Sequence, residues 1–335
     1  MKKFMNDPVH FVDEMLEGIM AAHPDRLSYT ANDIRCVIKA GSKKNGKVGI
    51  ATGGGSGHLP LFLGYVGDGL LDGCAVGGVF QSPSSEQMLH VTKAIDSGAG
   101  VLYIYGNYGG DIMNFDMAAE MADLEEIKVE QVVAGEDVAS APKGEENKRR
   151  GVAGIFYVYK IAGAMANEMA SLAEVKRVAE KAAANVRTMG VALTPCIVPE
   201  AGRPSFMLEE NEMEIGMGIH GEPGIHRGPL QKADEIIEEI LPRILNDLPF
   251  KIGDEVSVLV NGLGATPKEE LYILYRKVDQ FLKQEGITVF NTYIGEFATS
   301  MEMAGASVSI LKLDEELKRL LSKPAVSPFF EQTQI

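Results

Sequence analysis

Basic residues are outnumbered in this chain: 32 Lys and Arg stand against 47 Asp and Glu over 335 positions, a formal charge of −15. A field of that sign repels a phosphate backbone, so nucleic acid is excluded as a direct partner. Cysteine is scarce. Cys36, Cys74 and Cys196 make no CxxC pair and no metal-ligand spacing, so they read as reduced, partly buried thiols of a cytosolic protein. Long apolar runs are missing too. The longest, 152–170, carries Lys160, Asn167 and Glu168 among many small residues, which suits a helix buried inside the protein and not a membrane span. The opening MKKFMNDPVHFVDEM follows its two lysines with acidic residues instead of an apolar stretch, unlike a signal peptide. The expectation is a cytoplasmic protein that touches neither membrane nor nucleic acid.

What is present suits a soluble globular protein of two domains, with 45% hydrophobic and 24% charged residues over 335 positions. Strand-like runs at 48–52, 73–80, 100–105 and 129–133 alternate with helical ones at 84–95 and 114–122. Helices at 152–170 and 171–186 and a strand at 190–193 follow. Strands separated by helices imply crossover connections, hence a largely parallel sheet with helices on both faces. Further on, 213–219 alternates strictly: Met213, Ile215, Met217 and Ile219 on one side, Glu214, Gly216, Gly218 and His220 on the other. That is the period of a strand with one apolar face. Helices at 231–246, 268–284 and 314–322 and strands at 256–260, 288–291 and 307–312 complete a second, smaller α/β or α+β domain. The expected division is 1–185 and 186–335, with no Pro/Ser-rich linker to mark it.

Three segments carry groups able to do chemistry. TGGGSGH at 52–58 follows a strand, and its glycines bring backbone N–H groups close to a ligand. It lacks the lysine of a Walker A loop, and His58 stands where a dinucleotide fingerprint has its third glycine. A tight turn with an incidental histidine is the plainer alternative. GIHGEPG at 218–224 puts His220 at a strand end, with Gly216 and Gly218 leaving room above the imidazole; the plainer alternative is a core histidine. YGNYGGD at 105–111 puts Asp111 at the carboxyl end of a strand, the ligand edge of a parallel sheet, or else makes it a helix cap. Two histidines and a carboxylate on separate ligand-edge loops suit proton transfer and nucleophilic attack. A His/His/Asp metal site competes, but no HxH or HExxH spacing supports it.

GGGSGH, NYGGD, RRGVAG (149–154), PSF (204–206), EMEIGMGIHGEPG and NGLGATP (261–267), in that order, resemble the K subunit of dihydroxyacetone kinases, the ketose-binding subunit of the DhaK family. The resemblance runs over nearly the whole chain. It implies a homodimer of two-domain α/β subunits in which the ring nitrogen of His220 adds to a ketose carbonyl as a hemiaminal. It gives His58 and Asp111 the hydrogen bonds to that ketose and assistance in proton transfer, and Gly55, Ser56 and Gly57 the pocket wall. No cofactor is expected on this chain. ATP or ADP with Mg is expected on a nucleotide-binding L-type subunit, recharged in some systems by a phosphotransferase-system M-type subunit. Two departures stand out: Gly106 replaces a lysine common in the family, and Leu59 replaces a glutamate. A lost cation and extra space imply a ketose other than dihydroxyacetone, such as erythrulose. The competing expectation is a ketose-sensing co-regulator that captures the ligand covalently and signals to a transcription factor.

Overall fold

The computed structural model describes residues 2–41 and 43–333. The chain falls into two compact units, one of Met1–Ala134, Val158–Lys181 and Arg319–Ile335, the other of Gly135–Tyr157 and Ala182–Lys318. Neither is a contiguous segment such as 1–185 or 186–335. Residues 135–157 belong with the second unit because local bonds tie them there. Asp137 N–H donates to Arg150 O, and Val138 N–H donates to Thr188 O.

In the first unit, α1 (Phe11–Ala22) precedes the hairpin β1 (Leu27–Thr30) and β2 (Asp33–Lys39). Ala31 and Asn32 turn that hairpin with φ of 55° and 53°, the left-handed pair of a two-residue turn whose twist matches the strands. Then come β3 (Gly49–Ser56), β4 (Gly73–Val79), α2 (Ser85–Ile95), β5 (Val101–Gly106), α3 (Gly109–Asp123) and β6 (Val129–Ala134). The sheet order is β1-β2-β4-β3-β5-β6. The pairs β4/β3, β3/β5 and β5/β6 are parallel, and the hairpin is added antiparallel on β4. Every residue of β5 is buried, the mark of a strand covered on both faces, which is why it reads as a continuous apolar run. A capping box opens α2: Ser84 Oγ accepts from Gln87 N–H, and the Gln87 side chain accepts from Ser84 N–H.

The apolar stretch near 152–170 forms α4 (Ile155–Asn167), followed by α5 (Leu172–Ala184). Lys160 is fully buried and donates to Leu320 O at 3.3 Å and Lys323 O at 2.7 Å. Burial lowers its pKa to about 8. No helix among the described residues is long and apolar enough to cross a membrane.

The second unit holds β7 (Val186–Ala192), β8 (Glu212–Ile215), β9 (His226–Pro229), α6 (Ala233–Asp247), β10 (Glu255–Gly262), α7 (Lys268–Gln284), β11 (Thr288–Gly295) and β12 (Gly305–Leu313). Its sheet runs β11-β10-β12-β7-β8-β9, with only β10/β11 parallel. Ile237, Ile240 and Ile244 of α6 and Leu271, Val278 and Leu282 of α7 form one core with Val258, Val260 and Ile310 of the sheet. Their three- and four-residue spacing is the apolar stripe of a helix lying on a sheet. α8 (Glu315–Leu321) closes the helical set.

Candidate functional site

His58 and Asp111 stand in the first unit. The strand at 48–52 runs on to Ser56, further than its apolar residues indicate. Its pairing with β4 shifts register between Gly54 and Ser56, a bulge centred on Gly55. The glycines are needed for close packing more than for exposure. A Cβ on Gly54 would lie 2.3 Å from the Phe62 ring, and one on Gly55 would lie 2.7 Å from Gln81 N. Ser56 Oγ donates to Gly77 O at 2.9 Å, and Gly57 turns the chain at φ 101°. His58 is buried, stacked on Phe80 at 4.8 Å and meeting Phe62 edge-on at 6.1 Å. Both phenylalanines have left-handed φ, 59° and 68°. Such strain in bulky residues persists only where the surroundings hold it, as at functional sites. The loop and its neighbours leave a cavity of only about 10 Å³, room for one water.

Asp111 lies in the first turn of α3, which begins at Gly109 and so earlier than the spacing of apolar residues indicates. Tyr108, not Asp111, is the N-cap, and Asp111 is buried. A carboxylate in the first turn is favoured by the helix dipole. The 80–84 loop approaches both residues. Phe80 stacks on His58, a Cβ on Gly110 would lie 2.8 Å from Ser82 Oγ, and Asn114 donates to Pro83 O at 2.7 Å. Gly106 is the buried last residue of β5 and pairs with Ala134.

His220 stands in the second unit, and here the strand expectation needs correction. β8 stops at Ile215 because Gly216 adopts φ 82°. His220 therefore sits in a turn, closed by Gly218 N–H to Glu222 O and Gly221 N–H to Gly218 O. The apolar set Met213, Ile215, Met217 and Ile219 is buried all the same. Nor do the glycines leave empty room. A Cβ on Gly218 would lie 2.1 Å from Glu222 Oε2 and 2.5 Å from Arg150 Nη1, so that space is filled by an ion pair. Glu222 Oε2 accepts from His220 N–H, and Oε1 meets His220 Nδ1, both at 2.9 Å. Burial alone would raise the Glu222 carboxyl; the hydrogen bond and charge of His220 and the backbone N–H groups outweigh it and bring the pKa to about 2. A carboxylate only accepts, so Nδ1 is the donor in this contact, and whenever the ring is neutral its lone pair lies on Nε2.

Arg150 stands behind this carboxylate. Its Nε donates to Asp137 Oδ2 at 2.9 Å, its Nη2 lies 2.7 Å from the same oxygen and donates to Gly216 O at 2.9 Å, and its Nη1 is 4.0 Å from Glu222. Burial pushes Asp137 up to about 6 against the opposing pull of Arg150. The neighbouring Arg149 is a structural clamp. It is buried and grips Asp247 at 2.8 and 2.6 Å. Of the PSF segment, Ser205 and Phe206 brace the turn at Gly221. NGLGATP is built around Asn261, whose Oδ1 accepts from Phe297 and Ala298 N–H and whose Nδ2 donates to Ala298 O. Glu222, Arg150, Asp137 and Phe80 do not stand out as site residues in the sequence. Only Glu222 had a local signal, a carboxylate two positions after the histidine. No group of three His, Cys, Asp or Glu among the described residues is placed to hold a metal ion.

A largely parallel sheet carries His58 and Asp111 in the first unit, and a carboxylate-held imidazole stands in the second. Residues 17–329 match the Dak1 domain, and this chain belongs to the Dak1 domain family. It is 45% identical over 331 residues to "PTS-dependent dihydroxyacetone kinase 2, dihydroxyacetone-binding subunit DhaK" of Listeria innocua, covering 99% of each chain. It is 42% identical over 336 residues to "L-erythrulose kinase" of Pectobacterium atrosepticum, covering 99% of this chain and 56% of that one. Among solved structures it resembles the "Dihydroxyacetone kinase operon co-activator Dha-DhaQ", with TM-score 0.89, 32% identity and 96% and 98% coverage.

Proposed function

We propose that this chain is the ketose-binding subunit of a dihydroxyacetone-type kinase and holds its substrate as a hemiaminal on His220. The observation that carries the reading is the Glu222 carboxylate, 2.9 Å from both the backbone nitrogen and Nδ1 of His220. In the capture step the Nε2 lone pair forms a bond to the carbonyl carbon and the carbonyl π pair moves to oxygen. That oxygen takes up a proton, and the positive charge left on the ring is held by Glu222. Glycerol, which has no electrophilic carbon, is rejected by the chemistry itself. His58 and Asp111 are assigned the hydrogen bonds to the ketose and the proton transfer from its terminal hydroxyl, with Gly55, Ser56 and Gly57 in the pocket wall. The nucleotide, ATP or ADP with Mg, is assigned to a nucleotide-binding L-type partner; ATP is the phosphoryl donor, and a held ADP is recharged before each transfer. The phosphotransferase dependence named for the Listeria relative supports an M-type partner behind it. A homodimer in the cytoplasm is part of the same reading.

Gly106 and Leu59 favour a ketose larger than dihydroxyacetone. The likeness to an erythrulose kinase supports that assignment. Native mass spectrometry with dihydroxyacetone and erythrulose in separate samples tests it: a ketose adduct on the wild-type chain, lost in His220→Ala and strongest with erythrulose, is the expected result. Absence of any adduct overturns the covalent reading, and capture restricted to dihydroxyacetone overturns the substrate assignment. The likeness to an operon co-activator favours a second reading, a sensor that captures ketose without phosphorylating it. Phosphorylated ketose appearing when an L-type subunit and nucleotide are added excludes the sensor-only reading; its persistent absence excludes the kinase.

A further inference from the structure

The RRGVAG segment contributes a second arginine, Arg150, beside the clamp made by Arg149. Arg150 is fixed at every level. Its N–H donates to Ser140 Oγ at 3.0 Å, and its carbonyl accepts from Asp137 N–H at 3.1 Å. Its guanidinium is forked between Asp137 and Gly216 O, leaving Nη1 directed at Glu222 Oε2. That oxygen already accepts from His220 N–H, which leaves Oε1 to the imidazole. The two carboxylate oxygens thus face different groups, Oε2 the backbone N–H and the guanidinium, Oε1 the imidazole. Gly218 supplies the space in which cation and carboxylate meet.

We infer that Arg150, locked by Asp137, is a positioning residue that selects the ring tautomer of His220 through Glu222. This rests on the reading of His220 as the covalent nucleophile and deepens it. With the cation in place the carboxylate stays oriented, so the ring proton is kept on Nδ1 and the lone pair on Nε2. Without it the carboxylate is free to swing, and the ring redistributes between its tautomers. A planar, delocalised cation is needed, because a lysine ammonium reaches Asp137 or Glu222 but does not fork between Asp137, a carbonyl and Glu222.

The test uses the full chain with Arg150→Met, Arg150→Lys and Asp137→Asn. Two readouts are taken: the ring ¹⁵N signature of His220, assigned by its loss in His220→Ala, and ketose capture by native mass spectrometry. The wild type is expected to show the Nδ1–H form. Arg150→Met is expected to lose that form and to weaken capture at least tenfold, Arg150→Lys to restore part of both, and Asp137→Asn to fall between. A residue with a purely structural role would lower stability and leave the signature of the folded fraction unchanged. Retention of the Nδ1–H form in folded Arg150→Met, or in folded Asp137→Asn should the methionine variant not fold, overturns the inference. A tautomer change in the variants combined with no adduct on the wild type overturns the covalent reading and leaves tautomer control by Arg150 standing.

Discussion

Replacing Gly218 with alanine adds one methyl group at the point where the structure has least room for it. The new Cβ would lie 2.1 Å from Glu222 Oε2 and 2.5 Å from Arg150 Nη1, so the carboxylate must retreat by about 1 Å to reach even a tight contact. Gly218 is not among the residues with left-handed φ, so the backbone accepts alanine and the effect is confined to the ion pair. A retreat of that size from bonds of 2.9 Å takes at least one of them beyond hydrogen-bonding distance. A hydrogen bond to a charged group contributes about 1.5–3 kcal/mol, so ketose capture is expected to weaken roughly 10- to 150-fold at about 1.4 kcal/mol per factor of ten. The assay is a ketose titration of wild type and Gly218→Ala followed by native mass spectrometry, with thermal unfolding as the control for folding. Repeated in a Glu222→Gln background, the same methyl group is expected to have little further effect, because the interaction it disturbs is already weakened. A Gly218→Ala protein that titrates like the wild type refutes the role given to the Glu222 carboxylate.

Arg149→Met removes one partner of Asp247 and is expected to destabilise the fold in urea unfolding by less than the about 3–5 kcal/mol of a buried charge left unpaired, because Arg187 still pairs with Asp247. Asn261→Leu leaves the Phe297 and Ala298 N–H groups without their acceptor, a loss of about 1–3 kcal/mol for each buried group left unsatisfied, measured in the same way. Glu136 is pushed up to about 7 by burial, against hydrogen bonds from Val152 and other backbone N–H groups. Its folded pKa thus lies above the unfolded value of 4.5, so its contribution to stability is full below that value and is lost as pH rises through about 7. Wild type is expected to lose stability between pH 5 and pH 8, and Glu136→Gln to lose less. Asp137, pushed up to about 6, keeps part of the effect, and an unchanged loss in the variant contradicts the assignment to Glu136.

The elements legible in the sequence are those whose identity rests on one local pattern. β5 is covered on both faces and reads as an unbroken apolar run, while α7 shows its core stripe at helical spacing. The β1–β2 hairpin went unread because its turn is Ala31-Asn32, without the glycine that announces most such turns. The extent of β8 is hidden for a different reason. Met217 and Ile219 are buried as strand residues would be, so their alternation continues past the point where Gly216 has already turned the chain. At the site, chemistry-bearing side chains were recognisable one by one, since histidine and aspartate beside glycine are conspicuous. Their supports were not. Phe80 lies 22 positions from His58 and reaches it only because β3 and β4 are parallel neighbours, and Arg150 lies 72 positions from Glu222. The glycines at 53–55 and 218 carry the same lesson from the other side. The sequence shows that a side chain is missing, but only the fold shows that the space is taken, by the Phe62 ring at Gly54 and by Glu222 and Arg150 at Gly218.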